Sequence, residues 1–296
     1  MKKRITSVLL VLALCLTLLP TAALADDGTV HNDHCLCGAT HNTTITDHKS
    51  DAKAFTKATR LWIDTEGGTS TLMKGNNKWD VSDVKLWKPS DNPVQAYVLE
   101  NGAYYLDSDF NFTDNKSITA SECAIAIIGN VTLCLNGHSI TCADKTSVIS
   151  VYAVECGSLT LTDCKSNGKI TGGTTAAVDV RCGKTFNMYG GTLTGGSRNY
   201  GVYVNESSNG TTKFNMYGGE ITSGSGTVVR LEGGEFTMSG GTISKNTASN
   251  GNGSGVFMQS GKFTMSGTAK IIGNTAGHTG RGVYMSGGTF TMKGGA

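Results

Sequence analysis

Apolar residues alternate with small polar ones in short bursts along most of the chain, and the bursts recur. Phe-x-Met-x-Gly-Gly runs from Phe186 to Gly191, Phe214 to Gly219, Phe236 to Gly241 and Phe290 to Gly295, joined by Phe263-Thr264-Met265-Ser266-Gly267 and the degenerate Leu159-Thr160-Leu161. The unit thus starts at Leu159, Phe186, Phe214, Phe236, Phe263 and Phe290, an almost constant step with one shorter interval between Phe214 and Phe236. A second burst lies between them: Val178/Val180, Val202/Val204, Val229/Leu231, Val256/Met258 and Val283/Met285. A shorter third follows each Gly-Gly at Leu193, Ile221, Ile243 and Ile271. Alternation with a period of two predicts strands. The Gly- and Ser-rich connectors, such as Ala248 to Gly255, cannot sustain a helix.

Three strands in about 27 residues are too few for a propeller blade of roughly 40 or more, and the Leu-x-x-Leu-x-Leu frame of a leucine-rich repeat is missing. The pattern predicts an all-β chain wound as a parallel β-helix solenoid, one repeat per turn, with Val, Phe, Met and Ile in the bore and Thr, Asn and Ser outside. The general preference of crossovers makes it right-handed. Asn246-Thr247-Ala248 and Asn274-Thr275-Ala276 occupy the same place in successive repeats. That match predicts stacked asparagines that exchange amide hydrogen bonds. The last residues stop short of a third strand, so further turns and a cap or wall anchor are expected beyond Ala296.

The chain divides into three parts. Residues 1–25 carry Lys2, Lys3 and Arg4, an apolar run from Val8 to Leu19 and the small-residue stretch to Ala25, the order of a signal peptide. As a helix that run would reach only about 18 Å, against a hydrocarbon core of roughly 30 Å, so no membrane span is expected. Residues 26–94 form a His/Cys- and Trp-containing N-terminal segment, and residues 95–296 the β-helix. Without the leader, 22 of the 25 Lys and Arg remain against 23 Asp and Glu, a net charge of −1. A near-neutral exported chain has no electrostatic footprint for nucleic acid. The predicted protein is extracellular and monomeric.

The segments Leu133-Cys134-Leu135-Asn136-Gly137-His138-Ser139-Ile140 and Leu161-Thr162-Asp163-Cys164, with the Phe-x-Met-x-Gly-Gly turns, carry a resemblance. Over about residues 95–296 the chain resembles exported β-helix surface proteins of Gram-positive gut bacteria, whose fold is that of the pectate-lyase-like superfamily. His34-Cys35-Leu36-Cys37-Gly38 is similar to a segment of the same group. The resemblance implies cell-surface display and an adhesin-like role, and it assigns no molecular activity.

Candidate chemistry falls in four places. In the second burst, Tyr152, Asp179, Tyr203, Arg230, Phe257 and Tyr284 recur once per repeat, and those from Asp179 on lie between the inward apolar pairs. Alternation sends all six to the outer face as a column that can stack on sugar rings or meet a host or bacterial surface protein. The same column also serves a purely structural reading, in which outer aromatics stabilise one another across strands. Glu206 and Glu232, one repeat apart, are the candidate catalytic pair of the alternative, a polysaccharide lyase or glycoside hydrolase of the β-helix type. Six cysteines, Cys123, Cys134, Cys142, Cys156, Cys164 and Cys182, lie in the first turns, where they either bridge or stack as buried thiols.

The fourth place is His34, Cys35, Cys37 and His41, whose thiolates and imidazoles suit a structural Zn²⁺, although Cys-x-Cys replaces the usual Cys-x₂₋₄-Cys. Disulfide formation in an exported chain competes with it. No other cofactor is expected. A zinc site here predicts metal bound to a purified segment 26–60 under reducing conditions; elemental analysis that finds none rejects it.

Overall fold

A computed structural model describes residues 53–54, 61–64, 71–74, 77–78, 97–99, 101–106, 108–112, 123–127, 129–143, 146–151, 157–195, 200–206, 210–222, 224–249 and 253–296. The recurring bursts are strands, and each pairs in parallel with its counterpart one repeat on. They build a parallel β-solenoid of about six turns with three stacked sheets.

The first sheet holds the Phe-x-Met strands. Phe186 pairs with Phe214, then Phe236, Phe263 and Phe290, and Met188 runs beside them through Met216, Met238, Met265 and Met292. The second sheet stacks Phe110, Ile140, Ile170, Leu193, Ile221, Ile243 and Ile271. The third stacks Ile125, Ile149, Val178, Val202, Val229, Val256 and Val283. Below the last turn these side chains fill the bore, and Met292, at its open end, is exposed. Phe186, Phe214 and Phe263 are 0% exposed and Phe236 1%.

Backbone hydrogen bonding fixes adjacent strands about 4.8 Å apart, close to the contact distance of two flat rings. The phenylalanines therefore stack, with centroids 5.1, 4.6, 4.4 and 4.8 Å apart from Phe186 up to Phe290. The expected asparagine ladder is present as well. Asn246 Nδ2 donates to Asn274 Oδ1 at 2.9 Å, and Asn274 Nδ2 donates to the Ile243 carbonyl at 3.0 Å. On the outside of the first sheet Asn215 donates to Asn187 at 2.9 Å.

The Gly-Gly of the Phe-x-Met-x-Gly-Gly turns, which Met265 alone of these strands lacks, has two separate causes. A Cβ on Gly218 would lie 2.3 Å from the Tyr189 carbonyl oxygen one turn below, and on Gly240 2.2 Å from that of Tyr217. The second glycine of each pair, Gly219 or Gly241, turns the chain with φ of 79° or 76°, which side-chain-bearing residues resist.

The stack reaches further toward the N-terminus than residue 95. Lys53–Ala54 pairs in parallel with Gly102–Tyr105 and adds a strand to the first sheet. Leu61–Asp64, Thr71–Lys74 and Asn77–Lys78 form a separate three-stranded antiparallel sheet. Residues 1–50, with the leader and the His34, Cys35, Cys37 and His41 cluster, lie outside the described residues, as do Trp79 and Trp87. Among the described residues no helix is long and apolar enough to cross a membrane.

The cysteines line the wall of the first turns. Cys134 and Cys164 bring their sulfurs within 2.9 Å, beside Tyr105. Burial pushes the Cys134 thiol up to about 11, so it stays protonated and is a poor nucleophile. Cys182 is a free thiol, and Cys156 lies outside the described residues.

Removing one ring from the middle of the phenylalanine stack opens a cavity between two others. Phe236→Ala is expected to destabilise the solenoid by about 3–5 kcal/mol, read as a lowered denaturant midpoint by circular dichroism.

Candidate functional site

The outer face of the third sheet carries the column that alternation predicts, with one change at its lower end. Asp179 pairs with Tyr203, Tyr203 with Arg230, Arg230 with Phe257 and Phe257 with Tyr284. Below Asp179 the paired residue is Ser150, not Tyr152. The core decides this: Ile149 and Val151 stand opposite Val178 and Val180, which leaves Ser150 between them on the outside. Tyr152 lies outside the described residues, beyond the end of that strand. A second outer column stands two residues further along each strand, with Arg181 opposite Asn205. It continues through Glu232, Gln259 and Ser286, whose N–H groups each donate to the turn below.

The lower half of the strip is tied together by its own side chains. Asp179, 0% exposed, accepts hydrogen bonds from Arg181 Nε at 2.8 Å and Nη2 at 2.6 Å. The Arg181 guanidinium lies 5.0 Å from the centre of the Tyr203 ring. The Tyr203 hydroxyl donates to Glu232. Asn205 Nδ2 donates to both of them at 3.0 Å, and Arg230 Nε to the other Glu232 oxygen at 2.7 Å. Burial alone would raise the Glu232 carboxyl, but these donors, Tyr203 first and Arg230 next, hold it below its ordinary value. Burial, reinforced by the carboxylate it faces, pushes the Tyr203 phenol up to about 12.

Arg230 links this half to the upper one. Its guanidinium lies 4.7 Å from the centre of the Phe257 ring and 5.7 Å from that of Tyr200, and Nη2 donates to Gln259 Oε1 at 3.0 Å. Above it, the Phe257 and Tyr284 rings meet at 5.1 Å, tilted by 35°. Both are half-buried, flanked by the exposed Gln259 and Ser286. The formal charges cancel as the pairs Asp179/Arg181 and Arg230/Glu232, and the upper half carries none. Chemically it offers apolar ring surface beside amide and hydroxyl groups.

The two candidate catalytic carboxyls are held for different tasks. Asn205, not Glu206, shares the level of Glu232. Glu206 lies one position on, where its Cβ faces Gly233 and its carboxylate accepts the Gly234 N–H at 3.1 Å. A general acid needs a raised pKa, whereas Glu232 is kept ionised. Among the described residues no group of three or more His, Cys, Asp or Glu side chains could hold a metal ion.

One exposed feature escapes the strand periodicity. Tyr189 and Tyr217, 37% and 43% exposed, stack at 4.5 Å at the corner between the first and second sheets. Its signal is the Met-Tyr-Gly-Gly of two successive turns, which reads Met-Ser-Gly-Gly at Met238. No protein-family model, curated protein or solved structure matches the chain.

The Tyr203–Glu232 contact has a pH signature. A phenol raised in the folded state stabilises it fully below the ordinary tyrosine value of about 10, and that contribution is lost as pH rises through the folded value. Alkaline titration of tyrosinate absorbance is expected to show one phenol ionising near 12. Glu232→Gln brings that phenol down toward the bulk, and an unchanged titration contradicts the contact.

Proposed function

We propose that the protein is an exported, surface-displayed β-solenoid of the pectate-lyase-like type, an adhesin-like scaffold whose third-sheet strip contacts a neutral glycan. The leader-like residues 1–25 support export, and the resemblance to Gram-positive surface proteins supports display. The observation that carries the binding reading is the pairing of Phe257 with Tyr284 beside Gln259 and Ser286. A sugar has apolar C–H faces and a rim of hydroxyls, and this half of the strip has ring surface and uncharged hydrogen-bonding groups to match. The tied lower half holds that surface still, so little conformational entropy is lost on binding.

Charge balance selects the ligand class. Each arginine is occupied by a carboxylate of the same strand, so an acidic sugar would have to displace an existing ion pair, whereas a neutral one need not. The strip is complete within one chain, which supports a monomer as the binding unit.

Binding is tested on an array of glycans and host-matrix proteins. Tyr203→Ala, Phe257→Ala and Tyr284→Ala combined are expected to abolish it, with Phe257→Ala alone costing about 2 kcal/mol of affinity. Unchanged binding by the triple variant rejects the proposal, and binding confined to matrix proteins rejects its glycan part.

A further inference from the structure

We infer a second ligand site, on the corner between the first and second sheets, where the Tyr189–Tyr217 stack ends in an open step that takes a pyranose ring with equatorial hydroxyls. It stands on observations separate from the third-sheet strip. The corner residue that follows each first-sheet strand forms its own column. Tyr189 is bonded through its N–H to Leu161 below, Tyr217 to Met188, Ser239 to Met216, Ser266 to Met238 and Lys293 to Met265.

Within that column the two phenols lie 4.5 Å apart and within 24° of parallel. Each ring therefore covers one face of the other. The lower face of Tyr189 looks toward the level of Thr162, which is buried. The upper face of Tyr217 looks toward Ser239, whose side chain ends at its γ oxygen, well short of a phenol ring. The ring stack of the protein stops there while the backbone continues. What remains above Tyr217 is an open step, and a ring placed one strand spacing up, roughly 4.8 Å, would touch Tyr217 as Tyr217 touches Tyr189.

The rim of the step selects the ligand. Ser239, Ser266 and Thr268 supply hydroxyls, with Thr268 Oγ1 3.6 Å from where a Cβ on Gly240 would sit. The column carries no charge until Lys293, two turns above Ser239. A purely aromatic ligand would leave those hydroxyls facing an edge that cannot hydrogen-bond. A pyranose whose hydroxyls are all equatorial has both an apolar face for Tyr217 and a polar rim for the serines and threonine. β-Linked glucose is the simplest such ring.

The test uses cellotetraose and the full chain, with binding followed by tyrosine ring NMR signals. Wild type is expected to bind, with shifts at Tyr189 and Tyr217. Tyr217→Ala, which removes the floor, and Ser239→Tyr, which fills the step with the residue the two lower turns already carry, are each expected to weaken binding by about tenfold or more. Tyr217→Phe keeps the ring and should bind as wild type. Circular dichroism checks that Ser239→Tyr keeps its fold; should it not, Tyr217→Ala against Tyr217→Phe decides the case alone. The Phe257→Ala, Tyr284→Ala double variant should leave these shifts intact, which separates this site from the strip. The inference is overturned if wild type does not bind, if a folded Ser239→Tyr or the Tyr217→Ala variant binds unchanged, or if the double variant abolishes the shifts.

Discussion

Each turn of the solenoid must land in register on its neighbours, because the backbone of every strand finds its hydrogen-bonding partners in the turns directly below and above. That constraint fixes the vertical spacing at the strand separation and repeats it at every position around the coil. Inside, it makes a stack of phenylalanines favourable without further adjustment, with centroids between 4.4 and 5.1 Å. At the corners it lets Asn246 donate to Asn274 at 2.9 Å. It also imposes the first glycine of the Gly-Gly pairs after Met216 and Met238, since a Cβ on Gly218 or Gly240 would run into a carbonyl of the turn beneath. Core, ladder and motif are three results of one spacing.

The same spacing would be unfavourable for charge. A column of like charges at strand separation would repel, and a lone buried one would be costly. On the third sheet the chain answers with two columns of opposite order. Asp179 has Arg181 beside it, two turns up Arg230 has Glu232, and the uncharged Tyr203 and Asn205 stand between. Every acid in the strip thus finds a base on its own strand, and Tyr203 bridges upward to Glu232. The network closes on itself, which leaves the two upper turns, with Phe257 and Tyr284, without formal charge.

Most of the fold was legible because strand alternation nested inside a longer, nearly constant repeat has few physical solutions. Phe-x-Met, Val-x-Val and the lone Ile each identify one sheet, and their registers follow from the spacing. What spacing could not give was the point at which extra residues enter a turn. Tyr152 sits one full repeat before Asp179 and fits the arithmetic, yet Ser150 is the neighbour of Asp179 across the sheet. Ile149 and Val151 must face the core, and the additional length falls after that strand. The pairing of Asp179 with Arg181 and of Arg230 with Glu232 was readable from their alternate positions on one strand. The chemistry of Glu232 was not, because it depends on Tyr203 and Asn205 of another turn. Tyr189 and Tyr217 were hidden for a related reason: they lie at a corner, where alternation ends.

Turn length points to the part of the strip in which these constraints are relaxed. The turn from Phe214 to Phe236 is shorter than its neighbours on either side, and its corner from Ile221 to Val229 is brief. In the next two turns the same corner, entering the third sheet, is longer, from Ile243 to Val256 and from Ile271 to Val283. The strands of the three main sheets do not lengthen; part of the added length pairs with itself one turn on, Thr247–Ala248 with Thr275–Ala276, beside the Asn246–Asn274 ladder. The added residues enter the chain immediately before Phe257 and Tyr284. Gly253 and Gly280 lie so close to Tyr284 that a Cβ on either would come within 2.9 or 2.5 Å of the Tyr284 Cβ. The two loops are held against each other as well, through the Gly253 N–H and the Thr279 carbonyl at 3.0 Å. The additions bury Asn246, Ala248, Asn274 and Ala276 at the corner, and the rest of their length runs on to Phe257 and Tyr284. Under the proposed glycan reading, the described parts of these loops, with Gly253 and Gly280 against Tyr284, would flank the Phe257–Tyr284 pair.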